Sequence, residues 1–123
     1  MSDAAANNFN AAAPPSDPED LKLITLARAA LARTGGEQGA AVRDNDGRTY
    51  AAASVQLVHL KLSAVGVAVA MAVSSGAGGL EAAVVIGRTP SADDLDVLRE
   101  LSNSDIAVWW VDAQGTVLEV IRQ

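Results

Sequence analysis

The chain has 123 residues and a net charge of −6, and it is half hydrophobic but only 3% aromatic, so we expect one small domain with a core of Ala, Val, Leu and Ile. The nine basic residues are scattered singly, which excludes a protein that binds nucleic acid through its phosphates. Because the chain has no cysteine, disulfides, thiolate zinc sites and iron–sulfur clusters are excluded as well.

The first segment, "MSDAAANNFNAAAPPS" at residues 1–16, is rich in Ala, Asn and Pro and has no apolar period. We therefore predict a disordered tail over residues 1–17 and a single domain over residues 18–123. No basic stretch precedes an apolar run in the tail, which argues against a signal peptide. The apolar run at residues 62–73 is shorter than the roughly 20 residues that cross a bilayer. These features indicate a cytoplasmic protein with no membrane partner.

Three elements are predicted over the first half of the domain. "SDPEDLKLITLARAALARTGG" predicts a helix, because a serine or aspartate can cap its start, apolar residues recur at helical spacing, and a Gly–Gly pair ends it. "GAAVRDNDGRTYAAASV" predicts a β-hairpin, because two short apolar runs flank "DNDG". "LSAVGVAVAMAVSSG" predicts a helix over residues 62–75 that is apolar all round and therefore buried on more than one side.

Four elements are predicted over the second half. "LEAAVVIG" at residues 80–87 is a continuous apolar strand of the kind covered on both faces. An amphipathic helix over 91–103 and a strand over 105–111 follow, and "TVLEVIRQ" ends the chain as a strand in preference to a short helix. Strands that alternate with helices after a hairpin indicate an α/β sandwich with a mixed sheet.

Three stretches of the sequence, in order and at matching spacing, resemble the cytidine deaminase family. The hairpin resembles the family's V-G-A-A-L followed by D-G. The apolar helix resembles the helix that opens C-A-E-R and ends near A-V-x-x-G, and the last helix resembles P-C-x-x-C-R-Q followed by V-L-x-E-F. The matching residues are Gly39, Ala40, Ala41, Val42, Asp46, Gly47, Ala64, Val67, Ala68, Ala72, Val73, Gly76, Pro90, Val97, Leu98, Glu100 and Leu101. The resemblance covers roughly residues 20–112 and implies a three-layer α-β-α sandwich with a mixed sheet of about five strands.

The positions that carry the chemistry in that family hold other residue types in this chain. In zinc deaminases three Cys, or one His and two Cys, hold a zinc ion that activates water, and a Glu transfers the proton. The resemblance places Ser63 at the first ligand position, Val65 at the Glu position, and Ser91 and Asp94 at the paired ligand positions. Serine is a poor zinc ligand and valine transfers no proton. We therefore expect no catalytic residue, no metal and no other cofactor, and we expect that the chain is not an enzyme.

The positions that bind the substrate in that family are also changed. The family's N-V-E-N motif, which binds the ribose, corresponds to "SVQL" at residues 54–57, and Gly36 stands about where the family has Phe. A lone histidine is more often structural or solvated than catalytic, and His59 is the only one in this chain. If the pocket is retained, the residues expected to line it are Ser54, Gln56, His59 and Ser63.

Several of these residues have a structural interpretation, which we favour over a chemical one. Ser63 and Ser91 each precede a predicted helix, where serine is a preferred N-cap. Ser91 with Asp94 also resembles a capping box, with Asp in place of the usual Glu. Trp109 and Trp110 lie on a predicted strand and so face opposite sides of the sheet, where core packing or a subunit contact is favoured over base stacking.

Two classes of function remain open from the sequence. The first is a structural or interaction role as a homo-oligomer, a dimer or a tetramer, because the resembled enzymes assemble through their second helix and an all-round apolar helix is too apolar for a free surface. The second is a sensor that retains the deaminase pocket and binds a nucleoside or nucleotide. Residual pyrimidine nucleoside deaminase activity is the remaining alternative.

Overall fold

The computed structural model of the chain describes residues 12–102 and 105–122, and its main elements follow the predicted order. The elements are α1 (Pro18–Thr34), β1 (Gln38–Asp44), β2 (Thr49–Ala53), β3 (Val55–Gln56), β4 (Lys61–Leu62), α2 (Ala64–Ser74), β5 (Leu80–Gly87), α3 (Ala92–Leu101), β6 (Ala107–Val111) and β7 (Val117–Arg122). The last element is a strand, as predicted. The short antiparallel hairpin of β3 and β4 was not predicted from the sequence.

The five longer strands form one mixed sheet in the order β2-β1-β5-β6-β7. Only β5 and β6 pair in parallel, since α3 connects them, and the other neighbours are antiparallel. Helix α1 packs on one face of the sheet, and α2 and α3 pack on the other. Trp109 packs on the α1 face, and the indole N–H of Trp110 donates to the carbonyl of Gly87 at 2.9 Å. The predicted three-layer α-β-α sandwich is confirmed.

The predicted N-terminal tail lies mostly outside the described residues, which begin at Ala12. The backbone N–H of Ala12 donates to the carbonyl oxygen of Val117 at 3.0 Å, and Pro15 is buried. Asp17 caps α1 by accepting a hydrogen bond from the N–H of Glu19 at 2.9 Å. Contacts with the domain therefore begin before residue 18. The end of the predicted helix 91–103 also lies partly outside the described residues.

Helix α2 differs from its prediction in start and in burial. Residue 62 pairs with Val55 in the small hairpin, so the helix begins only at Ala64. One side of α2 packs on the sheet, but Met71 and Val73 on other sides are 41% and 54% exposed. The helix is therefore apolar all round, as predicted, yet a single chain buries only part of its surface.

Asp44 closes the turn between β1 and β2 at the predicted site. Its carboxylate accepts hydrogen bonds from the backbone N–H groups of Asp46 and Arg48 and from the hydroxyl of Tyr50. Burial raises the pKa of this carboxyl, but the hydrogen bonds outweigh that effect and hold the pKa below its ordinary value. Gly47 has a φ of +85°, a backbone conformation that glycine adopts readily.

Helix α1 and strand β1 approach each other closely at Gly39. A Cβ atom at this position would lie 2.6 Å from the carbonyl oxygen of Ala27 and 3.0 Å from the Cβ of Leu31. Because the first contact is with backbone, no side-chain rotation relieves it. The absence of a side chain at Gly39 therefore sets the distance between the α1 layer and the sheet.

We predict that Gly39→Ala lowers the free energy of unfolding by about 1–3 kcal/mol, the usual cost of overpacking a core. The measurement is chemical denaturation followed by circular dichroism. The matched control is Gly78→Ala, since a Cβ on Gly78 meets no atom within 4 Å. Equal stabilities of the two variants would contradict the close contact.

Candidate functional site

The candidate site lies where α2 and α3 begin, on the same face of the sheet. Ser63 is the N-cap of α2, and Ser91 is the N-cap of α3. The two serines lie 28 positions apart in the sequence, and β5 brings them together because it runs between the two helices. The backbone N–H groups in the first turn of a helix lack partners within the helix, so both starts need hydrogen-bond acceptors.

Asp94 links the two helix starts. The hydroxyl of Ser63 donates to Asp94 Oδ1 at 2.6 Å and accepts from the N–H of Gly66 at 2.9 Å. Asp94 Oδ2 accepts from the N–H of Ser91 at 3.1 Å, and the N–H of Asp94 donates to the Ser91 hydroxyl at 3.0 Å. The predicted cap at Ser63 and the predicted capping box of Ser91 and Asp94 are therefore confirmed.

Gln38, which the sequence reasoning missed, joins this network to the sheet. Its side chain is fully buried, its Oε1 accepts from the N–H of Ala64 at 3.1 Å, and its Nε2 donates to the carbonyl of Arg88 at 3.1 Å. One amide thus connects the start of β1, the start of α2 and the chain leaving β5. The sequence feature that could have indicated this role is a polar glutamine directly before Gly39-Ala40-Ala41, at a position where the resembled family pattern has valine.

Val65 and His59 lie apart from this polar network. Val65 is fully buried in the core between α2 and the sheet. His59 is exposed in the turn between β3 and β4, and it does not line the open cavity that lies beside Ser63. Neither side chain is placed to exchange a proton with a molecule in that cavity.

An open cavity of about 290 Å³ lies beside Ser63. Three of the four expected residues, Ser54, Gln56 and Ser63, line it together. The remaining lining residues are Gly36, Glu37, Lys61, Leu62 and Arg88. The guanidinium of Arg88 forms an exposed ion pair with Glu37 at 3.1 Å, so the cavity wall is polar and charged.

The arrangement can hold a small polar molecule through hydroxyl, amide and charged groups. The hydroxyl of Ser63 already donates its proton to the carboxylate of Asp94, so it can only accept a hydrogen bond from such a molecule.

Within residues 12–102 and 105–122, no three His, Cys, Asp or Glu side chains are grouped so as to hold a metal ion. In the same part of the chain, every helix is too short or too polar to cross a membrane.

Comparison with known proteins gives one consistent family. The family model described as cytidine deaminase-like matches residues 16–115. The structure is similar to that of cytidine deaminase from Burkholderia pseudomallei, with 26% identity, a TM-score of 0.70, and coverage of 81% of this chain and 89% of that one. The structure is also similar to that of cytidine deaminase from Mycobacterium tuberculosis, with 26% identity, a TM-score of 0.65, and coverage of 75% of this chain and 85% of that one. The match to cytidine deaminase from Mycobacterium leprae has 20% identity, a TM-score of 0.62, and coverage of 80% of this chain and 90% of that one. At this identity it supports the fold alone. No curated protein matches the sequence significantly.

We predict that Asp94→Ala destabilises the chain, because it leaves the Ser63 hydroxyl and the Ser91 N–H without their acceptor. A hydrogen bond to a charged group contributes about 1.5–3 kcal/mol, and the loss is smaller where water can replace the acceptor, as at the exposed Ser91. The control is Asp93→Ala, which removes an exposed carboxylate from the same helical turn. In urea denaturation the Asp94 variant should lose at least twice the stability that the control loses, and similar losses would refute a structural role for Asp94.

Proposed function

Because the chain belongs to the cytidine deaminase-like family, we propose that it is a zinc-free member that does not deaminate and that serves as a homo-oligomeric structural or interaction protein. The observation that carries this proposal is the direct hydrogen bond between Ser63 and Asp94. These residues stand at two positions where the family resemblance expects zinc ligands. A cytoplasmic location, which the sequence indicates, is part of the same proposal.

The spacing and chemistry of the oxygen atoms at these positions do not fit a zinc ion. Two ligands bound to a tetrahedral zinc at about 2.1 Å lie about 3.4 Å from each other. Ser63 Oγ and Asp94 Oδ1 are 2.6 Å apart, a distance at which they share a proton rather than a cation. The other candidate ligand, Ser91, is a hydroxyl already engaged in the capping box. Hydroxyls are also weaker zinc ligands than the thiolates and imidazoles of such sites.

The proton-transfer position supports the same proposal. Deamination requires a group that moves a proton between the activated water and the leaving ammonia. At the position where the resemblance places Glu, Val65 is an aliphatic side chain fully buried in the core. His59, the one imidazole of the chain, is exposed in a turn and does not line the cavity.

The assembly part of the proposal rests on large apolar side chains that a single chain leaves exposed. Leu57 and Val58, in the turn of the small hairpin, are 60% and 83% exposed. On α2, Met71 borders an open groove of about 400 Å³. Leu62 lines this groove as well, so the hairpin and the helix contribute to one apolar surface. Contiguous exposed apolar surface is typical of protein–protein contacts, and we assign this one to a second copy of the chain.

A second candidate function, nucleoside or nucleotide binding, is favoured by the open cavity beside Ser63. Val65 does not fill this cavity, which Ser54, Gln56 and Ser63 line together. Residual deamination of a pyrimidine nucleoside is the third alternative, and one experiment separates the three.

We predict that the purified chain, dialysed against zinc, retains less than about one zinc per ten chains and releases no ammonia from cytidine. The physical reason is the absence of thiolate ligands and of a proton-transfer group at the family positions. Zinc is measured by atomic absorption, and ammonia by a coupled assay. The positive control for the zinc measurement carries Ser63→Cys, Ser91→Cys and Asp94→Cys together, which places three thiolates at the same positions, and circular dichroism checks that this variant folds.

Thermal unfolding of the same samples tests the two alternatives. A nucleoside at 100 times its dissociation constant adds about 2.7 kcal/mol, a rise in Tm on the order of 10 °C for a domain of this size. We expect no rise with cytidine. A rise without ammonia would favour the sensor, and either one zinc per chain or ammonia released from cytidine would overturn the proposal.

We predict that Met71→Glu weakens self-association at least tenfold, because it places a charge in the groove beside α2. Wild-type protein should sediment at two or four times the chain mass. The matched control is Leu21→Glu, since Leu21 is exposed to a similar degree, at 44%, but lies on α1 at the other face of the sheet. A monomeric wild type, or equal disruption by both variants, would show that this surface does not mediate assembly.

A further inference from the structure

A second cavity, on the opposite face of the sheet from Ser63, has no role in the proposed function. It has a volume of about 470 Å³ and lies between the flank of α1, the end of β5 and the turn before β7. Most of its wall is apolar, formed by Ala29, Leu31, Ala32, Ile86 and Ala113. Sites for small molecules are typically of this size, mostly apolar, with a few polar groups that fix the orientation of the ligand.

Arg28 supplies the charged group of this cavity. Its guanidinium, which remains protonated at any physiological pH, forms no ion pair or hydrogen bond with the described residues. It lies across Gly115, where a Cβ atom would be 3.0 Å from Arg28 Nη1 and 3.4 Å from Cζ. A glycine at 115 therefore leaves room for the guanidinium at the cavity, and its φ of +94° favours glycine independently.

We propose that this cavity binds a small amphipathic carboxylate, with its apolar part against Leu31 and Ile86 and its carboxylate on Arg28. The fork of a guanidinium matches a carboxylate in a bidentate pair. Thr25 also lines the cavity, but its hydroxyl donates to the carbonyl of Leu21 at 3.4 Å, so Arg28 is the group that holds the carboxylate. The net charge of −6 makes the chain as a whole repel anions. A preference for an anionic ligand must therefore come from a local positive group, and Arg28 is that group.

The test compares three probes that share an eight-carbon chain and differ in the charge of the head: octanoate, octanol and octylammonium. Each is titrated into the ¹⁵N-labelled full chain, and amide shifts are followed by NMR. We expect octanoate to bind at least tenfold more tightly than octanol. Its shifts should saturate in residues 25–32, at Ile86 and in residues 113–115. Octylammonium should bind most weakly of the three.

Two variants test whether octanoate binding depends on the charge of Arg28 and on the open volume of the cavity. Arg28→Gln should weaken octanoate binding at least fivefold and leave octanol binding unchanged. The matched control Arg33→Gln removes another exposed arginine of α1 that does not line the cavity, and it should change neither. Ala32→Leu keeps the charge but fills the cavity, and it should weaken both probes.

The proposal is overturned if octanol or octylammonium binds as tightly as octanoate, or if Arg28→Gln and Arg33→Gln have equal effects. It is also overturned if the octanoate shifts saturate on Leu57, Val58 and Met71, because the probe would then report the exposed apolar surface of the other face. Each of these results is independent of whether the chain holds zinc or releases ammonia, so failure here leaves the proposed function untouched.

Discussion

The starts of α2 and α3 meet at one point, and the structure depends on pairing the backbone N–H groups that both helices leave free there. Ser63 and Ser91 cap the two helices, and Asp94 accepts a hydrogen bond from each residue. Gln38 then ties the start of α2 to β1 and to the chain that leaves β5. The buried Gln38 and Asp94, together with the two capping serines, therefore fix the position of both helices on the sheet.

This network explains how the fold can persist under the proposed loss of the metal. A zinc ion bound at the starts of two helices would cross-link them, and removing its ligands would leave both starts without a partner. A carboxylate that accepts from both segments fulfils the same linking role with hydrogen bonds. The substitution is physically plausible because metal ligands and helix caps both require a polar atom at a helix N-terminus. Removing one member of such a network is costly, because hydrogen bonds to a charged group such as Asp94 are lost and the carboxylate that accepts them is itself buried.

The sequence predicted the order of the longer elements, the sheet class and the two helix caps, because each rests on a local pattern of several residues. The hairpin of β3 and β4 was missed, since strands of two residues are too short to show an alternating pattern. Gln38 was missed for a different reason: its three hydrogen bonds join segments up to 51 positions apart, and no local rule reports such contacts. His59 was expected at the pocket from its proximity in sequence to Ser63, but the hairpin turn carries it to the surface.

The scarcity of aromatic residues accounts for both the close packing at the centre and the open space at the edges. Where α1 crosses β1, small residues let the backbones approach so closely that Gly39 has no room for a methyl group. At the cavity between α1, Ile86 and Ala113, residues of the same kind, Ala29 and Ala32, are too short to fill the space. A cavity at that edge is thus a consequence of the same composition that makes the centre compact. Arg28 gives this edge a charge that the described chain does not neutralise, and that charge distinguishes it from a mere packing gap.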